Sequence, residues 1–371
     1  MRTEPIGIYV HIPFCVKKCH YCDFCSFSTL SSEVRAKYID TLVAEIQSFK
    51  SDAKISVDSI FFGGGTPSLL SPDEFERIHN AISSAFDILP SAEFTVEVNP
   101  KTVDEKKLKS YKSCGVNRIS IGMQSVNEKE LKMLGRIHNY ADFEDAYKLV
   151  RFVGFENVNV DLMYGIPDQT KASLMKTLDA LIRLSPEHIS AYGLIIEKGT
   201  PFYDNRRSLP LPTEDQECDM YDLICTRLSD SGYRHYEISN YAKNGKESRH
   251  NLKYWRCGEY IGFGVAAYSY FRGMRFGNSD SIDEYLSENA KEYISKEEAE
   301  PRYEYVMLGL RLADGISLSE YKDKFGVDFL LGRENKISEY INSGYMIMQN
   351  GRLFLTEKGF YVSNTILTDL L

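Results

Sequence analysis

The feature that most constrains the fold is a repeated alternation of strand-like and helical patterns from residue 6 to about residue 195. The predicted strands cover residues 7–12, 57–62, 93–98, 118–121, 157–163 and 188–193. The predicted helices cover residues 33–50, 72–87, 104–113, 127–150 in two pieces, and 170–184. Strands that are joined through helices pair in parallel with right-handed crossovers. The sequence therefore predicts an α/β fold, either an incomplete (β/α) barrel or an open doubly wound sheet.

The pattern changes in the second half of the chain. A Gly/Pro-rich stretch at 196–215 precedes a helical run to about residue 231, and residues 232–290 are typical of short strands and loops. The end of the chain, from 344 onward, resembles a small winged-helix fold. We therefore predict a core at 1–231 and a C-terminal α+β region at 232–371, of which 296–371 is winged-helix-like.

Composition excludes several classes of protein. The net charge of −9 argues against a nucleic-acid-binding protein, because phosphate contacts require a concentrated basic face. No apolar run is long enough to span a bilayer, and the first residues contain no apolar signal segment, so we expect a cytoplasmic protein without a transmembrane segment. Four of the eight cysteines are scattered, which favours reduced side chains, some of them filling the core.

The other four cysteines lie between residues 15 and 25, directly after the first predicted strand. Cys15, Cys19 and Cys22 have the spacing C-x-x-x-C-x-x-C, and three thiolates on one loop can hold three irons of a cubane and leave the fourth iron open. A structural zinc site prefers four ligands, which His11, His20 or Cys25 could complete. The spacing alone leaves both interpretations open.

Polar residues follow the other predicted strands at the same end of the sheet. A Gly-Gly-Gly-Thr-Pro run occupies 63–67, where glycines would let the backbone approach a ligand closely. Glu97, Gln124 and Asp161 end or follow the next three strands. Ligand groups gather at the carboxyl ends of parallel strands, so we expect these residues to share a site with the cysteines.

The runs YVHIPFC at 9–15 and CHYCDF at 19–24 resemble the radical S-adenosylmethionine superfamily. Within it, the sequence is similar to the branch that contains oxygen-independent coproporphyrinogen III oxidase and the HemW-type haem chaperones. The resemblance implies an incomplete (β/α)6 barrel, a 4Fe–4S cluster on the three motif cysteines, S-adenosylmethionine as cofactor, and a flavodoxin- or ferredoxin-like reductant. It assigns cofactor contacts to Tyr9, Tyr21, Gly64, Gly65, Thr66, Glu97, Gln124, Arg136, Asp161 and Ile195.

The roles that the resemblance implies are chemically specific. Arg136 would pair with the cofactor carboxylate, whereas Glu97 and Asp161 would accept hydrogen bonds from its ribose or amine. One electron from the reduced cluster would cleave the cofactor's sulfur–carbon bond, so the chemistry belongs to the cofactor and not to side-chain acids and bases.

Two features separate the members of the branch. The run RHNLKYW at 249–255 is similar to the H-N-x-x-Y-W signature of HemW-type haem chaperones, which implies that His250 contacts haem. The alternative is that His250 and Trp255 close the open side of the barrel. The oxidase has a longer N-terminal extension and a C-x-x-x-C-x-x-C-x-C motif, whereas here Cys15 follows only fourteen residues and Cys25 stands one position late.

We therefore predict a haem chaperone that binds haem as cargo and transfers it to a recipient haemoprotein whose identity the sequence does not specify. The sequence leaves open whether cleavage of the cofactor accompanies the transfer. The rival enzyme is oxygen-independent coproporphyrinogen III oxidase. A metal-sensing regulator is a third possibility because of the winged-helix-like end, but the acidic charge and the absence of a basic recognition helix disfavour it.

Overall fold

The computed structural model describes residues 4–49, 54–287, 290 and 294–371. Its strands are β1 (Ile6–Ile12), β2 (Ser56–Gly64), β3 (Asp87–Val98), β4 (Arg118–Gln124), β5 (Asn157–Tyr164), β6 (His188–Gly193), β7 (Arg234–Glu237), β8 (Asn240–Ala242), β9 (Tyr260–Phe263), β10 (Tyr268–Phe271), β11 (Met274–Gly277), β12 (Ser295–Glu298), β13 (Ile316–Ser317), β14 (Met346–Gln349) and β15 (Arg352–Leu355).

The helices, with two further 3₁₀ turns at Pro67–Leu69 and Pro100–Thr102, follow the same order along the chain. They are α1 (Ser32–Ser48), α2 (Pro72–Ala85), α3 (Glu105–Ser113), α4 (Glu128–Met133), α5 (Tyr140–Phe152), α6 (Lys171–Leu184), α7 (Pro201–Asn205), α8 (Glu214–Asp230), α9 (Arg249–Trp255), α10 (Ile282–Tyr285), α11 (Pro301–Gly309), α12 (Leu318–Phe325), α13 (Glu334–Asn342), α14 (Glu357–Tyr361) and α15 (Ser363–Leu370).

Strands β1 to β6 are parallel and adjacent in their order along the chain. A doubly wound sheet requires a point where the strand order reverses, and none occurs among these six strands. Right-handed crossovers between strands in sequential order place their helices on one face of the sheet, which is the arrangement of a barrel wall. The prediction of an α/β fold with an incomplete six-stranded barrel is confirmed.

The sheet extends beyond the six strands at both ends. Strand β9 pairs in parallel with β1, and β10, β11 and β12 continue the sheet in antiparallel pairing. Beyond β6, β8 and then β7 pair in antiparallel fashion, so the full order is β12-β11-β10-β9-β1-β2-β3-β4-β5-β6-β8-β7. Six strands of the predicted C-terminal region thus belong to the same sheet as the core. The boundary at residue 231 stays a prediction.

The last part of the chain forms a smaller unit with its own antiparallel sheet. This sheet has the order β13-β15-β14, and α11, α12 and α13 precede its β14–β15 hairpin. Its apolar residues Ile316, Leu353 and Leu355 are buried. A three-stranded antiparallel sheet with preceding helices and a hairpin is the arrangement expected of a winged helix. In the described part of the chain, no helix combines the length and the apolar character that crossing a membrane requires.

Candidate functional site

The three motif cysteines lie on a loop that begins where β1 ends. Backbone hydrogen bonds hold the loop on two sides: Cys15 N–H donates to the Phe27 carbonyl (3.0 Å), and His20 N–H donates to the Leu134 carbonyl (3.0 Å). The His20 ring also bonds the Met133 carbonyl through Nδ1 (2.9 Å). The loop is therefore fixed against the wall of the barrel before any metal is considered.

The spacing of the thiols fits a cluster better than a single ion. Tetrahedral zinc with Zn–S bonds of 2.3 Å holds its sulfur atoms about 3.8 Å apart. Among the described residues, the groups whose ligand atoms all lie within 4.8 Å of one another do not include Cys15, Cys19 and Cys22. A cubane takes each thiolate on a different iron and needs wider spacing. The geometry thus supports the cluster interpretation for these cysteines.

The glycine run at the end of β2 lets two backbones meet. Gly65 N–H donates to the Ile12 carbonyl (2.8 Å), and a Cβ on Gly65 would lie 2.8 Å from the Phe14 carbonyl oxygen. Gly64 has a φ of +107°, and a Cβ there would meet the His11 ring at 2.6 Å. The strand end can therefore lie directly against the root of the cysteine loop only because it carries no side chains.

The predicted cofactor residues other than Tyr9 line one cavity of about 430 Å³, which lies within the usual range for small-molecule sites. The carboxyl ends of β2 to β6 and the cysteine loop form its wall. The sequence-predicted residues in this wall are Cys15, Cys19, Tyr21, Cys22, Gly64, Gly65, Thr66, Glu97, Gln124, Arg136, Asp161 and Ile195. Residues from six separate segments of the chain thus come together as their positions at strand ends indicated.

Two carboxyl groups in the wall have perturbed pKa values. Burial, with a further contribution from Asp161, raises the pKa of Glu97 to about 8. Burial also raises the pKa of Asp161, although Asn159 opposes the shift by donating from Nδ2 to Asp161 Oδ1 (2.7 Å). Two carboxyl groups held in a buried cavity favour a cationic or hydrogen-bond-donating ligand between them.

Arg136 carries the positive charge next to the cysteines. Its Nη1 lies 3.7 Å from Cys19 Sγ, and its Nη2 donates to the Gly122 carbonyl (3.1 Å). Its Nε is buried and lacks a hydrogen-bond partner in the described part of the chain. A guanidinium with an unused N–H can still pair with a carboxylate in the cavity.

Several residues of the cavity wall were not predicted from the sequence, among them Arg118, Asn159 and Tyr192. Arg118 is only 2% exposed and begins β4, all of whose residues are buried. A buried arginine in a central strand is unusual, and this could have identified it. Asn159 interrupts the apolar residues of β5, and asparagine is depleted in strands, whereas Tyr192 carries no signal because aromatic residues are common there.

The structure does not bring Tyr9 and His250 to the cavity surface. The Tyr9 hydroxyl lies 3.0 Å from His11 Nδ1, and Tyr9 is only partly buried. His250 is 1% exposed and stacks on Phe61, which lines the cavity. Its Nδ1 lies 3.0 Å from Ser59 Oγ and its Nε2 lies 2.7 Å from the Tyr254 hydroxyl, so both ring nitrogens have protein partners.

Two family descriptions match the chain. Residues 9–181 match the Radical SAM superfamily, and residues 294–362 match the HemN C-terminal domain. The first match covers the cysteine loop and the strands β1 to β5, and the second covers most of the small C-terminal unit.

Curated relatives match the chain over nearly its full length. A protein named heme chaperone HemW from Lactococcus lactis is 36% identical over 372 residues, which cover 99% of this chain and 97% of the relative. Another of that name from Bacillus subtilis is 34% identical and covers 96% of this chain and 97% of its own. A third, from Escherichia coli, is 40% identical over 72% of this chain and 71% of its own.

A solved structure shares the whole fold. The coproporphyrinogen III oxidase (HemN) from Escherichia coli, described as a radical SAM enzyme, superposes with a TM-score of 0.86. The match covers 100% of this chain and 91% of that one, at 22% sequence identity. At this identity the likeness concerns the fold, including the strands that extend the barrel on both sides.

Proposed function

Because this chain belongs to the HemW family of radical S-adenosylmethionine proteins, we propose that it binds haem and transfers it to a recipient haemoprotein. The observation that carries the proposal is similarity to named haem chaperones along nearly the whole chain, at 36% identity over 99% of its residues in one case. A similarity of this extent includes the C-terminal region as well as the barrel.

A 4Fe–4S cluster and S-adenosylmethionine are the cofactors that the radical SAM superfamily implies. We assign Cys15, Cys19 and Cys22 to three irons of the cluster. When bound, the cluster supplies one electron for reductive cleavage of the S-adenosylmethionine sulfur–carbon bond.

The residues of the cavity bind and orient the second cofactor in this proposal. The free Nε–H of Arg136 suits the methionine carboxylate, and Glu97 and Asp161 suit its amine and ribose hydroxyls. Gly64 and Gly65 let the backbone approach closely. Phe24 and Ile195, which are 61% and 68% exposed, stand at the cavity wall and would limit access of water once a ligand fills the site.

We propose His250 as a ligand of the haem iron, a role that requires a local rearrangement of the protein. Burial lowers the pKa of His250 to about 3, so the ring is neutral and chemically able to bind iron. Its Nε2, however, must first give up the Tyr254 hydroxyl, and the ring must leave its stacked position on Phe61. Haem binding through His250 therefore requires a movement of α9.

The partners follow from the same proposal. An external one-electron donor of the flavodoxin or ferredoxin type would reduce the cluster, and a haemoprotein would receive the haem. We place the protein in the cytoplasm, since none of its eight cysteines forms a disulfide and a reducing compartment keeps the cluster ligands available.

One sample can test the proposal against its rival. The anaerobically reconstituted full-length protein is titrated with haem, and the haem-loaded protein is then mixed with an apo-haemoprotein such as apomyoglobin. We expect one haem per chain and its appearance in the acceptor by absorption spectroscopy. The same sample is incubated with coproporphyrinogen III, reductant and S-adenosylmethionine. Formation of protoporphyrinogen without haem binding would favour the decarboxylating oxidase and overturn the proposal.

A further inference from the structure

We propose that Cys225, His235 and Glu357 form a second metal site, separate from the cysteine loop, that takes a single zinc-class divalent cation. The thiol sulfur, an imidazole nitrogen and a carboxylate oxygen of these residues all lie within 4.8 Å of one another. This is a thiol–imidazole–carboxylate donor set from two consecutive elements, α8 and β7, and from the start of α14, which lies more than a hundred residues later.

The imidazole is the strongest indication of a ligand. His235 Nε2 is buried and has no hydrogen-bond partner in the described part of the chain. The ring is held in place on both sides, since it stacks on Tyr241 with ring centres 4.3 Å apart and contacts Phe360 at 5.2 Å. A buried ring nitrogen without a partner is unfavourable unless something binds it. A metal ion would bind it.

The thiol of Cys225 lies next to the same tyrosine. It is buried, and its Sγ lies 3.1 Å from the Tyr241 hydroxyl. A hydroxyl that donates to a metal-bound thiolate is a common outer partner, and such partners orient the ligand and tune its affinity. Tyr241 thus positions two of the three ligands. It stacks on the His235 ring and lies within hydrogen-bond distance of the Cys225 sulfur.

The donor set and its spacing indicate the kind of ion. A zinc ion bound to sulfur at 2.3 Å and to nitrogen or oxygen at 2.0–2.1 Å keeps its donors about 3.5 Å apart, so small side-chain movements suffice to close the site. Hard cations such as Mg²⁺ and Ca²⁺ prefer all-oxygen sites. Three protein ligands leave a fourth position for water.

The location gives the ion a structural task. Strand β7 is the last strand of the twelve-stranded sheet, and α14 belongs to the small C-terminal unit. Backbone hydrogen bonds between β7 and the segment 311–313 already join the two parts, and an ion held by His235 and Glu357 would add a side-chain link between them. Zinc would then stabilise the attachment of the C-terminal unit without taking part in cofactor chemistry.

Metal analysis of the anaerobically purified full-length protein tests the proposal, with ZnCl₂ as the added probe. We expect one zinc per chain, and X-ray absorption at the zinc edge should show one sulfur at about 2.3 Å and nitrogen or oxygen ligands at about 2.0 Å. Cys225→Ala, His235→Gln and Glu357→Gln should each lose the zinc, while the iron content stays unchanged. Tyr241→Phe should keep the site but weaken zinc binding about 10-fold.

Matched controls separate the ligands from their surroundings. Glu334 is exposed and begins α13 as Glu357 begins α14, so Glu334→Gln should retain zinc; Cys114→Ala should also retain it. If the variants of the buried residues do not fold, Glu357→Gln decides, because its side chain is exposed. Zinc with only sulfur ligands, zinc retained by all three variants, or no zinc bound by the wild-type protein after addition of ZnCl₂ would each overturn the proposal.

Discussion

Thiols gather at two places in this molecule, and the two places are built differently. The cysteine loop presents three thiols from one short segment, too widely spaced for one ion, beside a cavity of about 430 Å³. The cluster of Cys225, His235 and Glu357 brings together three kinds of donor, two from neighbouring elements and one from near the end of the chain, with aromatic rings packed around them. The first arrangement suits a large inorganic cluster and an incoming ligand, and the second suits one ion.

The comparison teaches that the surroundings of a donor are as informative as its identity. In both regions a buried nitrogen has been left without a partner: Nε of Arg136 at the cavity and Nε2 of His235 beneath the C-terminal unit. Other buried side-chain nitrogens, among them those of Arg227 and Arg311, also lack a partner among the described residues, so an unpaired nitrogen indicates a ligand only where further ligand groups surround it. His250, with both ring nitrogens bonded, provides the contrasting case.

The largest expected effect is the complete separation of the two metals. Cys19→Ala should reduce the iron and acid-labile sulfide of the anaerobically purified protein from about four of each per chain to nearly none, because the cluster loses one of its three ligands. The zinc content should not change. Cys225→Ala should lose its zinc and keep its iron and sulfide. Elemental analysis of both variants measures these contents.

Cys25→Ala is the control for the cysteine loop. The Cys25 thiol donates to the Asp280 carbonyl (3.3 Å) and does not line the cavity, so the variant should keep its iron. Loss of both iron and zinc in Cys19→Ala, or in Cys225→Ala, would show that the two regions are not independent.

The second effect concerns the unpaired nitrogen at the cavity. Arg136→Gln should weaken S-adenosylmethionine binding about 10- to 100-fold, because a charged hydrogen bond in a buried site is worth about 1.5–3 kcal/mol. Equilibrium dialysis of the anaerobic protein measures the affinity, and the iron content confirms that the cluster remains. Exposed Arg77, changed to Gln, is the control. An unchanged affinity in Arg136→Gln would remove this residue from the binding site.

The third effect concerns His250, whose two ring nitrogens both have protein partners. If His250 binds haem iron through Nε2, His250→Ala should weaken haem binding about 10-fold and shift the Soret band. Tyr254→Phe should strengthen it, because the competing hydroxyl that lies 2.7 Å from Nε2 is gone. Haem titration monitored by absorbance measures both. If neither variant changes the affinity or the spectrum, His250 is a packing residue and the haem has another ligand.

A further effect is the pH dependence that the buried carboxyl group of Glu97 adds to the stability of the protein. The pKa of Glu97 is raised from its ordinary value of 4.5 to about 8, so this group stabilises the fold below pH 4.5 and loses that contribution as the pH rises toward 8. Between pH 4.5 and pH 8, the free energy of unfolding of the wild-type protein without S-adenosylmethionine should fall relative to that of Glu97→Gln. The fall should be at most about 1.4 kcal/mol per pH unit, because the glutamine cannot ionise.

Thermal unfolding of wild type and Glu97→Gln between pH 5.5 and 8 measures this difference. Glu156→Gln, which changes an exposed carboxyl group, serves as the control and should follow the wild type across the range. A constant difference between wild type and Glu97→Gln would mean that Glu97 is ionised in the folded protein.

The strands of the barrel could be predicted closely, because a buried parallel strand is a short apolar run. β6 has the predicted bounds, and β4 and β5 begin at the predicted residues. β3 was predicted from residue 93 but begins at Asp87. Its first part contains Pro90 and Ser91, which are typical of a turn, and its pairing with β2 shifts register between Val57 and Ser59. Tertiary pairing outweighed the local pattern there.

The candidate cavity was predictable because its residues occupy equivalent positions, one at each strand end. The second cluster was not, and its cysteine was expected to be a reduced side chain that fills the core. Cys225, His235 and Glu357 have no spacing that a short motif could show, since Glu357 lies over a hundred residues beyond the other two. The packing of α14 on α8 and β7 creates this proximity, and no local pattern encodes it.

The pairing of β1 with β9 has a consequence for how the protein is made. Strand β1 leads into the cysteine loop and pairs with β2 on one side, but its other side is covered by Tyr260–Phe263, some 250 residues later. During synthesis at about 5–20 residues per second, the edge of β1 stays uncovered for many seconds after the cysteines have left the ribosome. Iron delivered during that interval would meet a loop whose supporting strand is still an exposed edge. Assembly of the cluster should therefore follow release of the finished chain.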